Sequence, residues 1–197
     1  MMGNGVRAQQ REQTRRTLVR ESRRLFATQG YASVHLSEVV QAAGVTKGAL
    51  YHHFESKAAL FRAVLEEVQQ EVAAHVAATA DAEEDSWNQL TSGCHAFLRA
   101  TTEPSVQRIM LVDGPAVLGW RNWRAMTEAT SGRHLASALS ALVLEGIVPA
   151  QPVAPLTHLL SGAMNEAALW LATSEDAADL EATRQALTRI LEALRAK

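Results

Sequence analysis

Apolar residues recur every three or four positions along most of the chain, which is the spacing of one face of an α-helix. The first such stripe contains Leu18, Leu25 and Phe26, and it ends at Gly30, where a glycine suits the left-handed residue that follows a helix. Further stripes continue to the C-terminus, and strand-like alternation is almost absent. The pattern predicts an all-α fold of about nine helices without strands.

Two short helices are predicted close together near the N-terminus. They cover residues 36–43 and 47–53, and Gly44 lies in the turn between them. Thr46 can cap the second helix, and Ser56 can cap the long helix that follows. Two short helices joined by a tight turn with a glycine form a helix-turn-helix, whose second helix enters the major groove of DNA.

The chain divides into an N-terminal head (residues 1–55) and a C-terminal body (residues 56–197), which the fourth helix joins. The first 12 residues of the head contain two glycines and scattered arginines, and they are predicted to be a flexible tail. The body predicts helices over about 56–80, 87–103, 106–112, 120–145, 156–171 and 180–194. The third of these is expected to be interrupted at Asp113-Gly114-Pro115, because proline removes a backbone donor.

Charge is distributed unevenly between the two parts. Residues 1–62 carry ten Lys and Arg against four Asp and Glu, a net of +6, and the rest carries nine against seventeen, a net of −8, which together give −2. A basic segment on an acidic body indicates a polyanionic partner. A solvated, arginine-rich helix is the alternative that charge alone leaves open.

Residues 30–60 resemble the DNA-binding domain of the TetR/AcrR family of bacterial regulators. The similarity covers roughly residues 14–62, with the same helix-turn-helix spacing and the Tyr-His-His-Phe ending at 51–54. Residues 113–120 and 165–170 resemble a C-terminal domain type of that family. The resemblance implies a repressor that binds a palindromic double-stranded operator as a homodimer and is released by a small-molecule effector. The Trp- and Met-rich composition of the body favours a largely apolar effector, and the lone cysteine favours a cytoplasmic location.

The second helix of the motif carries the residues expected to meet DNA. The small Gly48 and Ala49 allow a close approach to base edges, and Lys47 can reach a guanine or a phosphate. Thr46, at the same end of the helix, is also expected to face the bases. Tyr51, His53 and Lys57 are expected to contact phosphates and to fix the register. His35 stands where the family often has Ser or Thr. The predicted DNA-binding residues are His35, Thr46, Lys47, Gly48, Ala49, Tyr51, His52, His53 and Lys57.

The aromatic and methionine residues of the body can form core packing or line an apolar cavity between helices. Both readings stay open. Asp113 and Asn165 lie in apolar surroundings and are the polar candidates, although Asp113 can equally be a turn acid and Asn165 a bond between packed helices. The predicted ligand-binding residues are Phe97, Met110, Asp113, Trp123, Met126 and Asn165.

The last two predicted helices have broad apolar stripes. The family resemblance implies that they pair with the same helices of a second chain as a four-helix bundle, whereas their spacing indicates only that each buries a face. The predicted dimerisation residues are Leu160, Met164, Leu187 and Leu191.

Two other classes of function stay open. One is an all-α enzyme that acts through Asp113, His95 or His158, although no nucleophile–base pair is evident and no enzyme activity is expected. The other is a DNA-binding module that recruits a protein and has no small-molecule site. A solid core in the body would favour this second class.

No metal or cofactor is expected. His52 and Glu55 are three residues apart, but no third ligand is evident near them. The single cysteine, Cys94, excludes an intrachain disulfide, is expected to be a buried apolar side chain, and fits a reducing cytoplasm. No apolar run approaches the ~20 residues of a membrane span.

Overall fold

The computed structural model describes residues 3–176 and 178–196, with only the backbone described for 3–5. This part of the chain contains no strand, and it forms nine helices when uninterrupted helical segments are counted together. The predicted all-α fold is therefore confirmed. The helices are α1 (Gly3–Gln29), α2 (Leu36–Ala43), α3 (Lys47–His53), α4 (Lys57–Asp81), α5 (Ser86–Thr101), α6 (104–118), α7 (120–144), α8 (Val153–Leu171) and α9 (Asp179–Glu192).

The first helix is longer at its N-terminus than the sequence indicated. α1 begins at Gly3, so residues 3–12, for which a flexible tail was expected, are helical, and residues 1 and 2 lie outside the described residues. Residues 6–12 are mostly Arg, Gln, Glu and Ala, which favour helix. An ion pair of 2.9 Å between Glu12 and Arg16 adds support. A helix already nucleated by its buried half extends without a second nucleation step.

The three helices of the head enclose a small apolar core. Phe26 of α1, Val39 of α2 and Leu50 of α3 have no exposed surface, and Phe54 is almost fully buried. The core continues into α4, because the rings of Phe26 and Phe61 lie 5.4 Å apart in an edge-to-face arrangement. The head is therefore packed directly onto the first turns of α4.

Helix α4 connects the head with the body. The Ser56 hydroxyl accepts a hydrogen bond from the N–H of Ala59 at 3.1 Å, which confirms the predicted N-cap. Towards its C-terminus α4 lies close to α5, where a Cβ atom on Gly93 would be 3.7 Å from the side chain of Val76. One continuous helix therefore contributes to the core of both parts.

Helix α6 continues through the proline that was expected to interrupt it. A π-helical turn covers Arg108–Asp113, helix resumes at Gly114–Leu118, and the break falls at Gly119, whose φ is +76°. In a π-helical register Pro115 would be the donor to the Met110 carbonyl. Proline has no N–H, and the Trp123 Nε1 group donates to that carbonyl instead, at 2.7 Å.

Candidate nucleic-acid interface and ligand cavity

A glycine turn fixes the angle between α2 and α3. Gly44 has φ +64° and lies in the left-handed region, where glycine is favoured. Its N–H donates to the Gln41 carbonyl, and the N–H of Val45 donates to the Val40 carbonyl, both at 3.2 Å. The Thr46 hydroxyl then accepts from the N–H of Ala49 at 3.1 Å and confirms the predicted cap of α3. The turn and the cap together form a helix-turn-helix.

Helix α3 has one buried face and one exposed face. Leu50 points into the core of the head, while Thr46, Lys47, Gly48, Tyr51 and His52 are exposed and Ala49 is partly exposed. The Lys47 ammonium lies 6.0 Å from the centre of the Tyr51 ring, so both side chains lie on the same side of the helix. The exposed face combines small residues, a cation and polar aromatic groups, which suits a DNA groove.

Three other predicted DNA-binding residues also interact with neighbouring groups of the protein. The Lys57 ammonium lies 4.3 Å from the centre of the Tyr31 ring, and burial lowers its pKa. Burial, followed by the charges of neighbouring residues, also lowers the pKa of the half-buried His53, which favours its neutral form. The exposed His35 precedes α2, and its backbone N–H donates to the Glu38 carboxylate at 2.7 Å.

Two arginines of α1 lie beside the C-terminal end of α3, and neither was among the predicted site residues. The guanidinium of Arg15 lies 5.6 Å from the centre of the Phe54 ring. Arg11 and Arg15 both lower the pKa of His53 through their positive charge, which indicates that they are near it. Their signal in the sequence was the basic charge of the head, but Arg11 was assigned to the flexible tail.

The body contains a cavity of about 460 Å³ between α4, α5, α7 and α8. Its wall is mostly apolar, and Leu90, Phe97 and Met164 are its largest buried apolar side chains. Of the six predicted ligand-binding residues only Phe97 belongs to this wall. The lining residues are Val76, Ala77, Ala80, Asp81, Gln89, Leu90, Gly93, Cys94, Phe97, Ser131, Gly132, His134, Leu135, Ser137, Ala138, Ala141, Ser161 and Met164.

Polar groups are few in the buried part of this wall. They include Ser131 and Ser161, which are 8% and 6% exposed. The Ser131 oxygen itself is fully buried and has no hydrogen-bond partner among the described residues. Burial raises the pKa of the Cys94 thiol to about 12, so the thiol is neutral. Asp81 and His134 are exposed, which places them at the rim.

The other predicted ligand-binding residues lie away from the cavity wall. Met110 and Trp123 are joined by the hydrogen bond described for α6, Met126 is half-buried, and Asn165 is buried with its Oδ1 unpaired among the described residues. Met110 and Trp123 lie away from the wall because α7 packs closely against α6 at these residues. A Cβ atom on Gly114 would lie 2.8 Å from the Trp123 ring, so this tryptophan fills the space over α6.

Asp113 belongs to the contact between the head and the body. Its carboxylate accepts a hydrogen bond of 2.8 Å from the backbone N–H of Tyr31, in the loop between α1 and α2. A guanidinium nitrogen of Arg108, also on α6, lies 3.3 Å from the Thr28 carbonyl and donates to it. On the other side, the Arg23 guanidinium of α1 lies 2.7 Å from the Glu71 carboxylate of α4. These contacts fix the head against α4 and α6, and we call them the junction.

The four predicted dimerisation residues lie inside the protomer. Leu160, Met164, Leu187 and Leu191 are between 0% and 6% exposed, and Met164 lines the cavity. So little exposed surface leaves these four side chains little to contribute to a contact with a second chain, and their role in dimerisation stays a prediction. The exposed apolar side chains of the same helices are Leu159, Trp170 and Ile190, with 72%, 49% and 50% of their surface exposed.

The three residues that were considered for catalysis lie on different helices and have different partners. Asp113 binds Tyr31, as described above. The Nε2 atom of His95 on α5 lies 3.0 Å from the Thr188 hydroxyl of α9. On α8, Nδ1 of His158 accepts from the Arg124 guanidinium at 2.6 Å, beside a smaller cavity of about 250 Å³ between α7 and α8.

Two searches of the described residues address metals and membranes. Within residues 3–176 and 178–196, no three His, Cys, Asp or Glu side chains are grouped so that they could hold a metal ion. None of the helices described is both long enough and apolar enough to span a bilayer.

Comparison with known families identifies the class of protein that this fold and these surfaces define. Residues 18–64 match the family of bacterial regulatory proteins named after tetR, and residues 87–194 match the tetracyclin repressor-like C-terminal domain. The second match alone covers more than half of the 197 residues. The chain therefore belongs to the TetR family of transcriptional regulators and has a DNA-binding N-terminal domain. This confirms the resemblance found in the sequence.

Individual relatives agree with this assignment. The crystal structure of a TetR-family transcriptional regulator from Pectobacterium atrosepticum is 34% identical, covers 95% of this chain and 97% of its own, and has a TM-score of 0.79. The transposon Tn10 TetC protein of Escherichia coli is 27% identical over 149 residues, 76% of this chain and 75% of that protein. RolR in complex with resorcinol shares the fold, with a TM-score of 0.72 at 20% identity over 93% of this chain and 89% of its own.

Proposed function

We propose that this protein is a homodimeric transcriptional repressor that leaves its operator when a small, largely apolar ligand enters the cavity. The observation that carries the proposal is the path of α4. Phe61, near its start, packs in the core of the head, while Val76 and Ala80, near its end, line the cavity. A ligand that displaces the end of α4 therefore changes the position of the head. The ligand weakens DNA binding only to the extent that its affinity for the displaced state exceeds its affinity for the DNA-binding state.

In the proposed DNA complex, α3 lies in the major groove. Lys47, Gly48 and Ala49 face base edges, while Thr46 and the surrounding polar side chains bind phosphates. Lys57 exchanges its contact with the Tyr31 ring for a phosphate. The proposed phosphate-binding residues are His35, Thr46, Tyr51, His52, His53 and Lys57, to which we add Arg11 and Arg15.

The proposed dimer uses the outer faces of α8 and α9. Leu159, Ala163, Glu166 and Trp170 are spaced as one face of α8, and all four are exposed. Ile190 provides a similar exposed position on α9. Large apolar side chains grouped on a surface favour burial against a partner. A two-fold dimer presents two copies of α3 to a palindromic operator with half-sites ~34 Å apart.

The two parts of the chain have different proposed functions. Residues 1–55 read DNA, and residues 56–197 hold the ligand and the second subunit, with α4 and the junction between the two functions. The protein must share a compartment with the chromosome, which in a bacterium is the cytoplasm.

The two alternative functions have less support. A DNA-binding module without an effector would not need a cavity of about 460 Å³ in its body. An enzyme would need its acid, base or nucleophile groups in one place, whereas Asp113, His95 and His158 each bind a different partner. The fold shared with a resorcinol-bound protein supports a small-molecule ligand.

The DNA part of the proposal is tested by selecting duplexes from a random pool at low salt and then titrating the selected sequence with protein. We expect a palindromic sequence that is bound as a dimer and released steeply as salt rises, because phosphate neutralisation releases counterions. If no duplex is retained at low salt, the protein is not a regulator of this kind.

The ligand part is tested by screening apolar compounds for a rise in melting temperature and then measuring operator affinity with each compound that raises it. Binding stabilises the folded state, and a releasing ligand must also weaken DNA binding. Ala138→Phe, which fills the cavity, should remove the response, whereas Ala125→Phe on the exposed side of α7 should keep it. Compounds that bind in the cavity and leave DNA affinity unchanged would contradict release.

A further inference from the structure

We infer that the N-terminal half of α1 (residues 3–15) is a second DNA-binding element, in which Arg7, Arg11 and Arg15 bind phosphates beyond those that the helix-turn-helix reaches. We call these three residues the arginine face. The inference rests on the proposed function, because it takes α3 to lie in the major groove. It goes further by adding Arg7 and by extending the DNA contact along α1, past the C-terminal end of α3.

The arginine face continues the buried side of α1. Leu18 and Ser22, which point into the protein, have no exposed surface. An α-helix turns about 100° per residue, so Leu18 and Ser22 lie within about 20° of Arg11 around the helix axis, and Arg7 and Arg15 lie about 40° on either side of it. The side of α1 that is buried in its second half therefore bears arginines in its first half.

This first half of α1 projects from the head. Residues 6–17 are all exposed or partly exposed, and Leu18 is the first buried residue of the helix. At 1.5 Å per residue, Arg7 precedes Leu18 by about 16 Å along the helix axis. The arginine face thus extends beyond the core of the head, and the protein does not cover it.

The arginine face is continuous with the surface of α3. The Arg15 guanidinium lies 5.6 Å from the centre of the ring of Phe54, the residue that ends α3. Burial is the largest cause that lowers the pKa of His53, and the positive charges of His52, Arg11 and Arg15 lower it further. A polyanion that meets the exposed side of α3 therefore also meets the arginine face.

The other arginines of α1 have partners within the protein, whereas the arginine face has none. Its three guanidinium groups form no ion pair and no side-chain hydrogen bond with the described residues. The four others lie at least about 120° away from Arg11 around the helix. Their pairs are Arg16 with Glu12, Arg20 with Glu21, Arg23 with Glu71 and Arg24 with Glu21, at 2.9, 3.1, 2.7 and 3.2 Å.

Duplex DNA supplies the missing negative charges. It carries one phosphate charge per ~1.7 Å of its axis, and the arginine face covers about 12 Å of α1. Each long side chain can therefore reach a phosphate of its own, which a guanidinium binds through two parallel hydrogen bonds. Because phosphate contacts carry no sequence information, the arginine face adds affinity and extends the protected DNA, and it leaves base preference unchanged.

The test measures the salt dependence of binding to the selected operator. In the triple variant Arg7→Ala, Arg11→Ala, Arg15→Ala, the slope of log K against log salt should become less steep by about 3–5. Each lost phosphate contact removes about 0.9 from the slope, and a dimer has six of these arginines. Alanine favours helix, and circular dichroism reports whether α1 and the rest of the protein stay folded.

The matched control is the triple variant Arg16→Ala, Arg20→Ala, Arg24→Ala, which removes the same charge from the other side of α1. Exposed ion pairs contribute little to stability, so this variant should fold, and its slope should change by less than about one. A general effect of net charge would change both variants equally. Contact with phosphates changes only the variant of the arginine face.

Arg7→Ala alone tests how far the DNA contact extends, because Arg7 is the member of the arginine face farthest from α3. Two copies in a dimer predict a slope that is less steep by about 1–2. Hydroxyl-radical footprinting locates the lost contact. Wild-type protein should protect backbone positions that Arg7→Ala leaves open and that Lys57→Ala still protects.

Equal slopes for the two triple variants, or unchanged protection with Arg7→Ala, overturn the inference, and operator binding by the helix-turn-helix then stands. A changed base preference in the variant of the arginine face also overturns it, since these residues would then contact bases. If the wild-type protein binds no duplex at low salt, the proposed function fails as well.

Discussion

At the scale of single residues, two glycines are required for different reasons. Gly44 has φ +64°, and this left-handed conformation turns the chain from α2 into α3. Gly114 has an ordinary helical conformation, with φ −52°. What excludes a side chain there is Trp123, whose Cδ1 would lie 2.8 Å from an added Cβ. The first requirement is local, whereas the second comes from a neighbouring helix.

Gly114→Ala should lower the free energy of unfolding by about 1–3 kcal/mol, because overpacking a core forces neighbours out of position. The measurement is urea unfolding at one fixed protein concentration. Gly48→Ala is the matched control, since the nearest atom to an added Cβ there is 3.9 Å away. It should be neutral or stabilising by up to about 1 kcal/mol. Equal stability of the two variants would show that Trp123 does not press on Gly114.

Lys47→Ala should change which operator sequences are preferred, because Lys47 is the long cationic side chain at the start of α3. The loss should be on the order of 1–3 kcal/mol at one base pair if the ammonium contacts a base. Affinities for the operator and its single-base variants measure this. Tyr51→Phe is the comparison, and it should weaken binding to all sequences alike because a phosphate contact carries no sequence information. A uniform loss with Lys47→Ala would assign that residue to phosphate.

At the scale of the helices, α8 and α9 each have an inner and an outer apolar face. The inner face contains Leu160, Leu187 and Leu191 and completes the core of the body. The outer face contains Leu159 and Ile190, which the protomer leaves exposed. Burying this outer face requires a second chain or another partner, and we propose the second chain.

Leu159→Glu should give a folded monomer, because a charge placed in the proposed interface would be buried without a partner. Sedimentation velocity gives the oligomeric state, and circular dichroism reports the folding. Leu191→Ala should instead lower the free energy of unfolding by about 2–5 kcal/mol, as for other buried leucines, and retain dimers in the folded fraction. If Leu159→Glu stays dimeric, the interface lies elsewhere.

At the scale of the whole molecule, the junction holds the head against the body. Asp113 holds the backbone of Tyr31 from α6, while Glu71 holds Arg23 from α4. Exposed ion pairs contribute little to stability. The hydrogen bond of Asp113 to a partly buried amide is therefore the stronger candidate for transmitting a movement of the body to the loop before α2.

Asp113→Ala should remove this hydrogen bond and increase amide exchange at Tyr31 by roughly fivefold to 150-fold, which corresponds to the ~1–3 kcal/mol that an unpaired amide costs. Hydrogen exchange measured by NMR gives this rate. Asp113→Asn is the matched control, because its side-chain carbonyl can still accept the bond. Equal protection of Tyr31 in all three proteins would mean that the contact does not hold the head.

The sequence by itself determined the helices, the head and its motif, because these depend on local signals. Thr46, Ser56 and the glycine at 44 are caps and turn residues, and apolar spacing fixes which face of each helix is buried. The exposure of Lys47 and Tyr51 could be predicted because they lie on the opposite side of a short helix from the buried Leu50. The same local reasoning was wrong for residues 3–12, which are helical, because two glycines there suggested a flexible tail.

Only the tertiary structure decided the location of the cavity, the outer faces and the π-helical turns. Apolar spacing marks a face of a helix, but it does not distinguish Leu160, which is buried in the core, from Leu159, which is exposed. A cavity is the space that several helices leave between them, so no local pattern indicates that Ser131 lines it while Trp123 fills the space over Gly114. Packing between segments that are distant in sequence decides which side chains line a cavity, fill a gap or stay exposed. The energy of each arrangement depends on all the packed side chains together.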